Sequence, residues 1–179
     1  MNTLADQYYI KALDLYPYNL EESIENLNYA LSHNIEHAGA NYLMGKLHKE
    51  QLNNLLKAEE YYIKSLACDP YNINACMDYI LLLIILSEYQ KAQKMISHTQ
   101  KLKGIDQSKI NSYEGMICEH KQQFTEALSH YNKALLEAYN DDYIEELNKN
   151  IKRVKMKRKI LEKSNKSKSK EKSSIEYHI

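Results

Sequence analysis

Ala58 to Asn72 reads AEEYYIKSLACDPYN. Within it Ala58, Tyr62 and Ser65 stand at i, i+4 and i+7, a small, large, small stripe along one face of a helix. The stripe recurs. Thirty-four residues on, Ala92, Ile96 and Thr99 hold the same places, and thirty-five further come Ala127, Tyr131 and Ala134. Thirty-five residues before Ala58 stand Ser23, Leu27 and Ala30. A fixed period of this length predicts a helical solenoid, in which each unit buries its apolar face only by stacking on the next.

Composition agrees with a helical chain. The 179 residues are 44% hydrophobic and 27% charged, with only four Gly, two Pro and no Trp, too few turn-formers for an all-β fold. Net charge is zero, but unevenly spread. Asp142 to Ile179 carries 12 Lys+Arg against 6 Asp+Glu, so the body holds −6 and this end +6. Met1 to Asp6 lacks the basic start and apolar stretch of a secretory leader. The longest apolar run, Ile80 to Leu86, falls far short of the ~20 residues that span a bilayer. Cys68, Cys76 and Cys118 form no CxxC, and reduced thiols in a cytoplasmic or nuclear protein are expected.

Nine helices are predicted in order. Thr3 to Asp6 caps the first, which Pro17 stops after Tyr16. Asn19 with Glu22 opens the second, Leu20 to His33. The third spans Glu36 to Glu50 and the fourth Leu55 to Ala67. Asn72 caps the fifth, Ile73 to Leu86, and Ser87 with Gln90 reads as a capping box for the sixth, which closes at Lys101, Lys103 and Gly104. Asp106 caps the seventh, to His120; the eighth runs Phe124 to Ala138, and Asn140 opens a ninth to Lys163. Residues 164–179, rich in alternating Ser and Lys, offer no apolar face and are expected to be disordered.

These helix pairs resemble tetratricopeptide repeats over residues 4–141, with repeats at about 4–37, 38–72, 73–107 and 108–141. The second matches best: Met44-Gly45 for the family's Leu-Gly pair, then Ala58, Tyr62, Ser65 and Pro70, with one extra residue in its turn. The fourth supplies Glu114-Gly115, Ala127, Tyr131 and Ala134, with Tyr139 where Pro is usual. The third keeps Ala75, Ala92, Ile96 and Thr99 but has Ile80 in place of the glycine and Gly104 instead of Pro. The first is weakest, with Lys11 at the glycine position. The resemblance implies an all-α, right-handed α-solenoid of about four hairpins plus a C-terminal capping helix.

It also implies a non-enzymatic adaptor or scaffold that binds a protein partner, as a peptide or helix, in a groove lined by the first helix of each hairpin. The fifth helix is apolar on every side, with Met77, Leu81 and Ile84 opposite the face that should pack on its own partner helix. Either the rest of the chain covers this stripe or it is a docking surface. Tyr8, Tyr42, Lys46, Asp78 and Met116 extend the predicted groove. Some relatives clamp a chaperone's C-terminal carboxylate with cationic side chains. The matching positions here hold Tyr42, Lys46, Asp78, Lys109 and Tyr113, or Tyr8, Ala12, Leu43, Asn74 and Asp78 one repeat earlier, and neither set is such a clamp. Co-chaperone-like shielding of a client protein is the alternative reading.

The ninth helix carries Ile144, Leu147, Ile151, Val154 and Leu161 at three-four spacing, interrupted by Arg158. It is expected to cap the core, or else to pair with a second copy. Lys152, Arg153, Lys155, Lys157, Arg158 and Lys159 form a basic patch, a solvated face or a contact for nucleic acid or an anionic membrane, and no interleaved aromatics favour base stacking. No Gly-rich phosphate loop, GxSxG or HExxH is present, so catalysis, a cofactor and a metal are not expected. His33 and His37 read as surface histidines, and His120 and His130 as unconnected ones.

Overall fold

A computed structural model describes residues 3–176, with side chains to residue 165. Among them run α1 (Leu4–Leu15), α2 (Leu20–His33), α3 (Ala38–Glu50), α4 (Leu55–Cys68), α5 (Ile73–Ile85), α6 (Tyr89–Thr99), α7 (Gln107–His120), α8 (Phe124–Glu137) and α9 (Asp141–Glu176). The described residues contain no strand. The chain divides between residues 105 and 106 into two compact units. The first is three antiparallel hairpins, α1–α2, α3–α4 and α5–α6; the second is the hairpin α7–α8 with α9 packed on α8.

Local chemistry sets the helix starts. Thr3 and Asp6 make a complete capping box on α1. Asn19 completes only its half of the expected box, its Oδ1 accepting from Glu22 N at 3.4 Å. Asn54, Asn72, Asp106 and Asn140 each accept an amide of the following first turn. α3 begins later than predicted. His37 caps it, Nδ1 accepting from Ala40 N at 3.0 Å while Nε2 lies 3.1 Å from Asp6. So His37 is a structural cap rather than a surface histidine.

The repeat period shows in the backbone as well. Asn53, Ser87 and Gln122, one in each of the α3–α4, α5–α6 and α7–α8 turns, take positive φ of 49°, 61° and 60°. After α5 and α7 the chain folds back in a Schellman closure: Glu88 N donates to Leu83 O at 2.8 Å and Gln123 N to Cys118 O at 2.9 Å. This overturns the predicted capping box at Ser87. That residue ends α5 in the left-handed region, and α6 starts from Glu88 with no side-chain cap. Gly104 is left-handed as expected, at φ 81°, but stands beyond the end of α6 at Thr99.

Small residues do in space what the stripe implies. A Cβ on Gly45 would fall 2.7 Å from Tyr62 Cδ1, and one on Gly115 2.9 Å from Tyr131 Cδ1, so the second and fourth hairpins close by a ring lying on glycine backbone. Tyr62 and Tyr131 are fully buried. Buried hydroxyls bridge the helices: Ser23 Oγ donates to Ala12 O at 3.0 Å, Ser65 Oγ to Ala38 O at 2.9 Å, and Ser108 Oγ to Ala134 O at 2.7 Å. In the third hairpin Ile80 and Ile96 replace the glycine and the ring, both buried, and α5–α6 is the least closely packed of the four.

α9 caps its unit. Leu147, Ile151 and Val154 join Phe124, Ala127, Leu128, Tyr131 and Ala134 in one core. The helix does not stop at Lys163 but continues to Glu176. No Gly or Pro follows Gly115, and Lys, Glu and Ser continue a helix that is already nucleated. Residues 177–179 of the expected tail lie outside the described residues.

Candidate functional site

In the first unit, α1, α3 and α5 bring a band of tyrosines and charges together. Tyr9 and Leu13 share one stripe of α1 at i and i+4, and Tyr16 follows as its C-cap residue. Gly39 admits the Tyr9 ring against the start of α3, where an added Cβ would stand 2.7 Å from Cζ. Tyr16 Oη donates to Glu50 Oε2 at 2.6 Å, and Lys46 Nζ lies 5.6 Å from the Tyr16 ring centroid. One hairpin along, Tyr42 Oη donates to Asp78 Oδ2 at 2.7 Å, and Lys49 Nζ stands 3.5 Å from Asp78 Oδ1. Tyr42, Tyr62 and Tyr79 form a chain of ring contacts at 6.1 and 6.3 Å.

Burial and neighbouring carboxylates hold these phenols protonated. Burial, then the bond to Glu50, pushes Tyr16 up to about 12. Burial and then Glu59, whose Oε1 accepts from Tyr79 Oη at 3.3 Å, push Tyr79 up to about 12. Tyr42 is raised further by burial and the Asp78 charge, and so is Tyr62. The Tyr62 hydroxyl is buried with no hydrogen-bond partner among the described residues. The arrangement is a polar floor with fixed charges, in which Tyr16, Tyr42 and Tyr79 each commit their hydroxyl proton to a carboxylate.

Tyr42, Lys46 and Asp78 lie together on this partly exposed band. Leu81 flanks it, half-buried, and the remaining predicted groove residues lie elsewhere. Ile84 and Met77 are 1% and 9% exposed, so they belong to the core. The face α5 turns to solvent is Asn74, Asp78, Leu81 and Ile85, with Leu81 half-buried and Ile85 exposed. A helix apolar all round hides its phase, yet the polar pair Asn74 and Asp78 marks the wet face. Tyr8 turns toward α2, stacked on His33 at 5.8 Å and beside Tyr29 at 5.2 Å. Met116 packs partly buried against the core of its own unit. Sequence reasoning missed Leu13, Lys49 and Ile85; the spacing to Tyr16, Lys46 and Asp78 was the available signal.

In the second unit the basic patch divides. Glu119, 5% exposed at its side chain, accepts from Arg153 Nε at 2.8 Å and Nη2 at 2.7 Å, Lys157 Nζ at 2.7 Å and Tyr131 Oη at 3.0 Å. Burial alone would raise the Glu119 carboxyl, but Arg153 and Lys157 overcome it and hold the pKa at about 2. Asn150 Oδ1 takes Arg153 Nη1 at 2.7 Å, and Arg158 stands 3.5 Å from Glu162. Arg153 and Lys157 therefore clamp α9 in place. Lys152, Lys155 and Lys159 are left exposed on a separate row. A cleft of ≈ 480 Å³ lies between the α7–α8 turn and α9, lined by His120, Phe124, Lys157, Ile160 and Leu161.

His130 Nδ1 lies 3.0 Å from Glu114 Oε2, an acidic neighbour the sequence did not reveal. Cys76 is buried and Cys68 exposed, and burial raises the Cys76 and Cys118 thiols. Among the described residues no His, Cys, Asp and Glu group could hold a metal ion. No helix there is long and apolar enough to cross a membrane.

No family model matches the sequence, and no curated protein matches it. Solved structures do match. One from a functional characterisation of Pseudomonas aeruginosa pilF aligns with TM-score 0.72 at 18% identity, over 87% of this chain and 69% of that one. MamA (41-end) from Desulfovibrio magneticus RS-1 gives 0.66 at 15%, covering 93% and 98%. TTC0263, a thermophilic tetratricopeptide-repeat protein of Thermus thermophilus, gives 0.63 at 16%, covering 85% and 81%. With the period, the ring-on-glycine closures and these likenesses together, the chain has the all-α tetratricopeptide-repeat fold.

Proposed function

We propose that this protein is a non-enzymatic adaptor that holds a segment of a protein partner on the band formed by α1, α3 and α5. The observation that carries the reading is the Tyr42–Asp78–Lys49 and Tyr16–Glu50 network, flanked by exposed Leu13 and Ile85 and half-buried Leu81. Fixed donors and charges orient a peptide, and apolar side chains at either end anchor it. Proteins of this fold generally act as scaffolds without catalysis. The expected occupant is a peptide or helix with apolar anchors separated by polar side chains.

Crosslinking in native cells would identify the partner, and calorimetry with its purified segment would measure affinity. Replacing Leu81 and Ile85 by Asp should weaken binding at least tenfold while leaving the helical circular dichroism unchanged, because both side chains reach solvent. Wild-type affinity in that variant would remove the band as the binding surface.

A further inference from the structure

α9 presents a solvent face that no described residue of its own unit satisfies. Met156 and Ile160, one turn apart, are 57% and 67% exposed. Lys152, Lys155 and Lys159 run beside them at helical spacing, all exposed, and no carboxylate among the described residues pairs with them. The other cations on this stretch are engaged: Lys149 with Glu145, Arg153 and Lys157 with Glu119, and Arg158 with Glu162. A polar face and an apolar stripe this close together fit a partner that offers carboxylates around an apolar or aromatic centre.

The first hairpin offers that surface. Residues 1–37 hold six carboxylates and one lysine, net −5, against +6 for residues 142–179. Leu4 and Tyr29 are 48% and 47% exposed, and Tyr8 stacks on His33 beside the tilted ring of Tyr29. The lone Lys11 sits 5.3 Å from the Tyr8 ring. Glu21, Glu22 and Glu25 are exposed on α2 with no cation among the described residues within salt-bridge reach, and Glu25 accepts from Tyr29 Oη at 3.3 Å. Tyrosine faces are also good seats for lysine ammoniums.

We infer that the chain associates with a second copy of itself, the Met156–Ile160 face of α9 docking on the Leu4–Tyr8–Tyr29 patch of the partner's first hairpin, with lysines against glutamates. Two α9 helices do not pair, because each would set its lysine row against another. The contact joins different surfaces, so it repeats head to tail. It is small and ionic, so it forms at micromolar concentrations and fades with salt. It uses residues outside the α1–α3–α5 band and stands or falls separately from the groove reading.

Sedimentation velocity on the full chain tests it. At about 50 mM NaCl, where screening extends over more than 10 Å, mass should climb above the 21.0 kDa monomer as protein is raised, and return to it at about 500 mM. The triple variant K152E, K155E, K159E should remain monomeric, as should E21K, E22K, E25K. An equimolar mixture of the two should associate again, which also shows both variants folded. Tyr29→Ala should weaken wild-type association at least threefold. A wild type that stays at 21.0 kDa throughout would overturn the inference. So would association retained by either triple variant, a mixture that remains monomeric, or a monomer whose lysine row instead binds a DNA duplex or phosphatidylserine vesicles.

Discussion

Replacing Glu119 by Gln keeps the shape of the side chain and removes the charge that anchors α9. The carboxyl falls from an ordinary 4.5 to about 2 in the folded protein. At about 1.4 kcal/mol per pKa unit that difference corresponds to about 3 kcal/mol. Arg153 and Lys157 are 45% and 48% exposed, so part of their attraction is screened by water. About 2 kcal/mol is the expected loss at neutral pH. The folded carboxyl is more acidic than the unfolded one, so the contribution is complete above about pH 5 and is lost as pH falls from 4.5 toward 2. Hydrogen exchange of α9 amides between Leu147 and Lys157, followed from pH 7 to pH 3, reads the local opening free energy directly. Wild type should lose protection with acid after correction for the intrinsic rate, and Glu119→Gln should start lower and stay flat. Equal protection in the two proteins at pH 7, or parallel acid profiles, would show that packing alone holds the cap.

Gly45→Ala should destabilise the protein by about 1–3 kcal/mol in urea titration, since its Cβ would meet the Tyr62 ring at 2.7 Å. Gly104→Ala meets nothing within 4 Å and should cost only the left-handed strain at φ 81°, about 1 kcal/mol. Installing Ile80→Gly with Ile96→Tyr should cost less than the sum of the two single changes, because the ring then has the glycine it needs; strictly additive losses in a double-mutant cycle would refute the pairing.

Much of this fold was legible because the determinants are local and periodic. Ala58, Tyr62 and Ser65 reappear with their spacing intact, and Asn72, Asp106 and Asn140 announce helix starts by side-chain chemistry that does not depend on tertiary context. Ser87 misled because serine caps either end of a turn on paper, and only the closure behind α5 decides which. The site was less legible. α5 carries apolar residues at nearly every position, so its phase depends on what surrounds it, and Ile84 rather than Ile85 was expected to face outward. Tyr8 looked like a groove residue until its stacking on His33 placed it beside α2. The division of the lysines followed from Glu119, a carboxylate on α7 more than thirty residues away from Arg153 in the chain.

The seating of α9 on α8 has a consequence for growth of the array. A tandem repeat can in principle be lengthened by duplication, each new hairpin resting on the bare flank of the previous one. Here that flank is occupied by Leu147, Ile151 and Val154 and riveted by a buried carboxylate. A fifth hairpin inserted after residue 140 would need its own copy of Glu119 for the terminal helix to grip, so duplication must carry the α7–α8 hairpin as a whole to yield a longer, still closed protein.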